Sequence, residues 1–545
     1  DPGREGRGVG TKGLVAAGEH IEKRFAALGL EPAGTKGFRQ GFPVPTSVKA
    51  EATVEIDGKP VPGARALSFS ANADALEAGV VFAGYGIVSK TRDDYKGLDV
   101  KDKVVLVRRF TPEGGEFEDA KERRRHGDLR RKAWLARDKG AKAILVVDAP
   151  ERPRTPVAWK VPEEAKMPSP SLEGFGDAGL AAAILPRSAG GPLVDRLARK
   201  QTARAKVTTK VAFETTEAFN VLGRIRAPEA NKLPGVVVVG AHYDHLGLGG
   251  HGSLAPDKTE VHPGADDNAS GTAALLEVAR LLAADKASLR RDVVIAAFSG
   301  EERGVLGSSF LVKEPPPGLA AKDIHAMINM DMVGRVGAGK VDVIAWDTAT
   351  EWPSLLEPAC DAARLTCAQS AGGGYGPSDH SPFYGAGVPV LFFFSGGHGG
   401  YHKPSDTPDK IHFAGVAQVP AAAASVARAT SAREGKLSYQ AVPSPPPNGD
   451  VRSFGASLGT IPDYAPPPGT KGMLLAGVRP GGAADKAGLT RGDVIVRIGD
   501  HPIGGVEDLM YVLTDSKPGQ KAKIVVMRDG KEVLVEAVFQ GAKAH

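Results

Sequence analysis

Cysteine is almost absent: the 545-residue chain has two, Cys360 and Cys367. Two thiols cannot build a Cys-rich zinc site. They are read as two buried thiols in preference to one short-loop disulfide. Long apolar runs are missing as well. No stretch approaches the roughly 18 apolar residues of a membrane span, and the longest, Val236–Val239 and Val388–Phe394, have the length of buried strands. Charge of one sign is not in excess. Sixty-nine Lys and Arg against 64 Asp and Glu leave +5, too little to imply a polyelectrolyte partner. Nucleic acid is therefore not expected as the main ligand. No solenoid-type repeat is present. The opening Asp1-Pro2-Gly3 contains neither Met nor a signal-like segment, which reads as a trimmed or mature form. A secreted or periplasmic location is the expectation.

What is present is an ordinary globular composition, 42% hydrophobic, with 69 Gly and 41 Pro. That is loop-rich but short of the composition of disorder. The length suggests about three or four domains. Leu14–Leu28 has helical apolar spacing, closed by Gly29. Phe42–Val44 and Ala52–Ile56 read as strands, the second ended by the turn pair Asp57-Gly58. Gly79–Ile87, Lys103–Val107 and Ala141–Val147 are further strands. Between the last two, Lys121–Lys139 reads as one highly charged helix with a solvated face, since acids are mixed among its Arg residues.

From Asn220 the pattern becomes strand, loop, helix. Gly235–Gly240, Asp292–Phe298, Ile324–Met330 and Val388–Phe394 are strands, and Gly271–Ala284 is an amphipathic helix. Such alternation predicts an α/β fold with a mostly parallel, mixed sheet flanked by helices. Ligands of such folds collect at the carboxyl ends of strands. A Pro-rich linker, residues 436–452 with Pro443, Pro445, Pro446 and Pro447, precedes a compact strand-rich unit.

Five segments place acids or histidines after an apolar strand or beside Gly: Gly240–Gly247, His262–Gly271, Phe298–Gly304, Asn329–Arg335 and Gly399–Thr407. Each alone has an ordinary explanation. His242 could be a hydrogen-bonded structural histidine, and Asp266-Asp267 could cap the following helix. Glu301-Glu302 could be an exposed pair, and Asp331 could cap a turn. Together they would end buried strands in an uncompensated cluster of acids, which is costly without cations. A pair of divalent metals resolves that cost. Zinc takes His nitrogen and carboxylate oxygen, and two-metal sites hold their ions roughly 3.5–4 Å apart. Which of Glu301 and Glu302 would face a metal stays open on this reasoning.

In this order the five segments resemble the M28 family of co-catalytic zinc peptidases, over about residues 3–75 and 219–433. The resemblance implies an aminopeptidase with two Zn²⁺ per chain, acting on a peptide or protein substrate. It implies His242 and Asp331 on one zinc, Glu302 and His402 on the other, and Asp267 between them. Glu301 would be the general base, and Asp244 would orient the His242 imidazole. His245, His251, His262 and His398 are not used by the family pattern, although His398 competes locally with His402. Tyr375 and Ser378-Asp379-His380 look like a substrate-side loop, with Tyr375 a candidate substrate contact.

Residues 79–215 interrupt the peptidase (1–78 and 216–435) and resemble a β-rich protease-associated insertion, through Val80–Ile87, Asp93-Asp94-Tyr95, Leu98–Val107 and Ala133–Val147. Residues 453–545 resemble a PDZ domain, barrel-like and able to capture a peptide C-terminus by strand addition. Gly472–Val478, Gly481–Leu489 and Arg491–Ile498 carry that likeness. Leu458, Gly459, Thr460 and Ile461 are its candidate carboxylate loop, and a docking domain with a degenerate groove is the alternative. Two other readings of the whole chain are a non-catalytic peptide-binding protein on the same scaffold and a related single-zinc acyltransferase.

Overall fold

The computed structural model describes residues 2–151, 160–170, 172, 177–250, 252–255, 258–370, 373–376, 378–442, 456–463 and 470–541. The Pro-rich stretch expected as a linker lies mostly outside the described residues.

Three apolar runs form adjacent parallel strands at the centre. Val236–His242 lies between Asp292–Phe298 and Ile324–Met330, and Val390–Phe394 follows in parallel. All seven residues in each of the first three are buried. Alternate side chains serve opposite faces. Val237, Val239 and Ala241 pack with Leu14, Leu275, Trp352 and Val419, from helices Lys12–Ala27, Gly271–Ala284, Trp352–Ala362 and Gln418–Ala432. Val236 and Val238 pack with Leu311 and Phe383, from helices Leu306–Lys313 and His380–Gly385. A sheet covered on both faces needs the continuous apolar runs the sequence shows.

The two short strands expected near residues 42 and 52 are one strand, Arg39–Ile56. It runs antiparallel to Arg204–Ile225 along nearly its whole length. Pro43 and Pro45 obscured it. They are tolerated because their stretch pairs on one side only, and the register shifts just after Pro45. Arg204–Ile225 also pairs with Asp292–Phe298 and with Ala73–Phe82. The junctions drawn at 78/79 and 215/216 therefore fall inside strands, and insertion and peptidase share one sheet. Within the insertion Ala73–Phe82, Val104–Arg108, Ala143–Val147 and Ala181–Leu185 are mutually parallel.

The charged segment after residue 120 departs from expectation. It forms two helices, Ala120–Gly127 and Leu129–Asp138, the second capped by Asp128, whose carboxylate accepts the Arg131 N–H. The first helix keeps Arg123 and Arg124 exposed, but the second is not solvated: Arg130, Arg131 and Lys132 are buried. Lys132 Nζ donates to the carbonyls of Tyr85, Arg108 and Phe110. Arg131 and Arg137 pair with Asp515 and Asp508 of the C-terminal unit, each at 2.8 Å. The Trp134 ring lies 4.9 Å from Tyr511. Partners nearly 400 positions away turned a solvent-like charge pattern into an interdomain contact.

The C-terminal unit is an antiparallel sheet in the order Thr460–Pro462, Met473–Val478, Val494–Ile498, Lys521–Arg528, Lys531–Val538. Its helix Val506–Asp515 faces the insertion. The thiols are also corrected: Cys360 and Cys367 form a disulfide. Arg364 takes a left-handed conformation, and Leu365 N–H returns to Cys360 O at 2.9 Å, folding the strand Thr366–Ser370 back onto its helix. Among the described residues no helix is long and apolar enough to cross a membrane.

Candidate metal centre

The predicted acids and histidines converge beyond the carboxyl ends of the three central strands. His242 ends one strand, Glu301 and Glu302 follow a second, and Asp331 follows the third. Gly300, at φ +69°, makes the reversal that presents both glutamates. Asp267 comes from the turn before helix Gly271–Ala284. There Gly264 has φ +54°, and a Cβ on it would lie 2.1 Å from the Asp267 carbonyl oxygen.

Atoms bound about 2.0–2.1 Å from one tetrahedral ion stand roughly 3.3 Å apart. His242 Nε2 lies 3.3 Å from Asp331 Oδ1 and 3.3 Å from Asp267 Oδ1. His402 Nε2 lies 3.2 Å from Asp267 Oδ2 and 3.0 Å from Glu302 Oε2. Both sets have the spacing of a zinc ligand shell, and Asp267 gives one oxygen to each. Asp267 Oδ2 is buried and accepts no hydrogen bond among the described residues. His242 Nδ1 donates to the Asp244 carbonyl at 3.2 Å, and His402 Nδ1 to the Gly252 carbonyl at 2.7 Å. Each imidazole thus keeps its Nε2 lone pair for the centre. The donor set fits two divalent ions.

Charge points the same way. Burial would push the His242 imidazolium down, but Asp331 and Glu301 outweigh it and hold its pKa well above the usual range. Burial also opposes the His402 charge, yet the adjoining Asp267 and Glu302 carboxylates raise that group to about 10. Glu301 is pushed well above the carboxylate range by burial, against His242, with Glu302 and Asp331 adding repulsion. The polypeptide balances its acids by favouring protons on these groups, a role divalent cations can take over.

Competing histidines separate by geometry. His398 Nε2 faces Asp266 at 3.1 Å, not Asp267. His262 bonds Ser253 and the Glu260 carbonyl. His251 lies outside the described residues. His245 is the closer rival: its Nδ1 is 2.6 Å from Glu302 Oε1 but 3.9 Å from Asp267 Oδ2. The first distance is a hydrogen bond and the second is long for a shared ion. His402 meets the tetrahedral spacing twice, while His245, Asp267 and Glu302 also form a group that could hold a metal ion.

Two expectations change. The Asp244 carboxylate stands 3.7 Å from His242 Nδ1; it accepts the Glu301 N–H at 3.2 Å instead. Its backbone carbonyl, not its side chain, orients the imidazole. Tyr375 is not brought to the cluster. Its ring is edge-on to Tyr384 at 4.6 Å and its hydroxyl faces Gly477 of the C-terminal unit. Ser378, from the same segment, does reach the site, donating to Asp331 Oδ2 at 2.7 Å. Asp379 is buried and pushed up to about 7 by that burial. His380 is buried without a hydrogen bond among the described residues, stacked on Phe392 at 4.6 Å.

Sequence reasoning overlooked Arg7 and used Asp406 only to choose His402. Asp406 is fully buried, and one of its oxygens accepts both the Asp266 and Asp267 N–H groups. Its place after His402-Lys403-Pro404-Ser405 was the available signal. Arg7 had none.

Residues 220–427 match the family model of Peptidase family M28, and residues 458–538 that of the PDZ domain. Residues 220–427 are thus similar to M28 peptidases. Aminopeptidase YwaD of Bacillus subtilis is 30% identical over 233 residues, 38% of this chain and 44% of that protein. An aminopeptidase of Pseudomonas aeruginosa is 33% identical over 196 residues, 35% and 33% respectively. The chain spans less than half the length of either relative. Among solved structures, an aminopeptidase from Aneurinibacillus sp. strain AM-1 aligns over 81% of this chain and 94% of its own, at 23% identity and TM-score 0.44. The matched segment begins at Asn220, near the end of the strand Arg204–Ile225, and contains every candidate ligand.

In the PDZ domain the candidate carboxylate loop lies on an edge. Leu458 is buried, its carbonyl accepting Ala484 N–H, and Gly459 has φ +76° with its carbonyl accepting Arg479 N–H. Thr460 and Ile461 pair with Val478 and Gly477 on one side.

Proposed function

We propose that this chain is a metallo-aminopeptidase with a co-catalytic two-zinc site. The observation that carries the reading is the division of Asp267, one oxygen in each of two ligand sets. The relatives' names supply the word aminopeptidase. When bound, zinc supplies Lewis acidity toward a carbonyl and toward water.

The chain's own residues supply the rest. Glu301 projects beside His242, its Oε2 3.9 Å from Nε2. It is largely but not fully buried and disposed to hold a proton, as suits a general base that takes one from the attacking water and returns it to the leaving amine. Asp244 fixes the backbone of that glutamate. Ser378 fixes the oxygen of Asp331 that faces away from His242. The PDZ edge at Thr460–Pro462 is proposed to receive a peptide C-terminus. The disulfide supports a secreted or periplasmic setting.

The test is metal analysis with a panel of aminoacyl and N-blocked peptide substrates, with and without chelator. Two zinc per chain and chelator-sensitive cleavage of free N-termini alone are expected. Cleavage of blocked peptides would refute the aminopeptidase reading, and one tight zinc per chain would refute the two-metal reading.

A further inference from the structure

Outside the ligand sets, one cation meets both halves of the centre. Arg7 is partly buried on a turn that precedes the first helix. Its Nε donates to the Tyr243 carbonyl at 2.8 Å, Nη1 to Pro263 at 2.7 Å and Nη2 to Gly264 at 3.0 Å. Tyr243 follows His242; Pro263 and Gly264 precede Asp267. The guanidinium thus spans the two loops whose side chains meet at His242 Nε2 and Asp267 Oδ1. The backbone makes the return contacts: His245 N–H donates to the Arg7 carbonyl and Gly247 N–H to the Gly6 carbonyl, both at 3.1 Å. Gly6 is required there, at φ +63°, because a Cβ would sit 2.2 Å from the Gly247 carbonyl oxygen.

The chemistry suits a fixed fork. Three carbonyls from two loops converge on one side chain, and only a planar group with several N–H donors satisfies them together. A lysine ammonium is a point donor and cannot reproduce that geometry. All three partners are neutral carbonyls, so the countercharge comes from nearby carboxylates, Asp267 first among them, then Asp244 and Glu302. Arg7 therefore ties loop spacing to the charge of the bridging ligand.

We infer that Arg7 is a positioning residue for the metal pair, setting the separation of the His242 and Asp267 loops so that one Asp267 carboxylate can serve both ligand sets. The inference rests on the two-zinc reading. Supporting groups behind metal ligands typically contribute 10–100-fold to affinity.

The experiment measures zinc affinity and stoichiometry of the full chain by competition with a chromogenic chelator, for wild type, Arg7→Lys and Arg7→Ala. Thermal melts of each protein are taken with and without zinc. Both variants are expected to bind zinc about 10–100-fold more weakly than wild type. Their zinc-induced rise in Tm shrinks, and added guanidinium restores part of the affinity of Arg7→Ala. A merely structural role would lower the metal-free Tm and leave affinity unchanged. Should Arg7→Ala not fold, Arg7→Lys decides alone. A folded variant with zinc affinity within about twofold of wild type would overturn the assignment. A wild-type chain that takes up fewer than two zinc fails the two-zinc reading instead, and is recognised before any variant is compared.

Discussion

The carboxylate of Asp406 holds the backbone of Asp267. One Asp406 oxygen accepts the N–H groups of Asp266 and Asp267 at 2.9 and 3.0 Å, and the other faces Arg335 at 3.3 Å. Asp406 lies four residues after His402, so the segment that carries one ligand also aims the ligand between the two sets. Asp406→Asn keeps the shape but replaces one acceptor oxygen with a donor. Zinc affinity is expected to fall about 10–100-fold, measured by chelator competition. Unchanged affinity would show that the Asp267 turn holds itself.

His402 and His245 make opposite predictions. His402→Ala removes a side chain with ligand spacing to both Asp267 and Glu302, so the chain should retain one zinc. His245→Ala removes a hydrogen bond to Glu302 and should retain two. Elemental analysis after dialysis separates them. Loss of a zinc in the His245 variant alone would exchange the two roles.

Glu301→Gln preserves size but replaces one carboxylate oxygen with an amide donor, abolishing the base. Turnover should fall by about 10²–10⁴-fold or more, with two zinc still bound. Activity near wild type would remove Glu301 from the proton transfer.

The PDZ contact should depend on pH. His501 Nδ1 lies 2.8 Å from Asp138 Oδ2, and that hydrogen bond raises the imidazole pKa above its ordinary value, against partial burial. A raised pKa in the docked state contributes stability below the free value near ~6.5. That contribution is lost as pH rises through the docked value. Hydrogen exchange in helix Val506–Asp515 should therefore be slower, after correction for intrinsic rates, at about pH 6 than at about pH 9. His501→Gln should flatten the difference. An unaltered pH dependence in that variant would assign it to other groups.

Much of the fold was legible because its strands are buried on both faces. Asp292–Phe298 and Ile324–Met330 appear in the structure with the bounds their apolar runs predict, as does helix Gly271–Ala284. The residues at their ends were legible too, since acids after such runs are costly without a cation. The ribbon Arg39–Ile56 was not legible as one element, because its prolines are tolerated only by virtue of where it pairs. The helix Leu129–Asp138 misled for a related reason: burial of Arg131 and Lys132 depends on partners that local pattern does not reveal.

The sequence by itself determined the α/β core, a strand-rich C-terminal unit and the set of groups available for metal chemistry, since hydrophobic period and residue type are local properties, and a family resemblance named that unit PDZ-like. Only the tertiary structure decided that both His402 and His245 stand beside Glu302, that Asp244 steadies Glu301 through its carboxylate, that Tyr375 packs against the PDZ domain, and that Arg7 reaches the centre at all. Those are questions of ångströms between segments as much as 257 residues apart, and loop geometry settles them after the chain has closed.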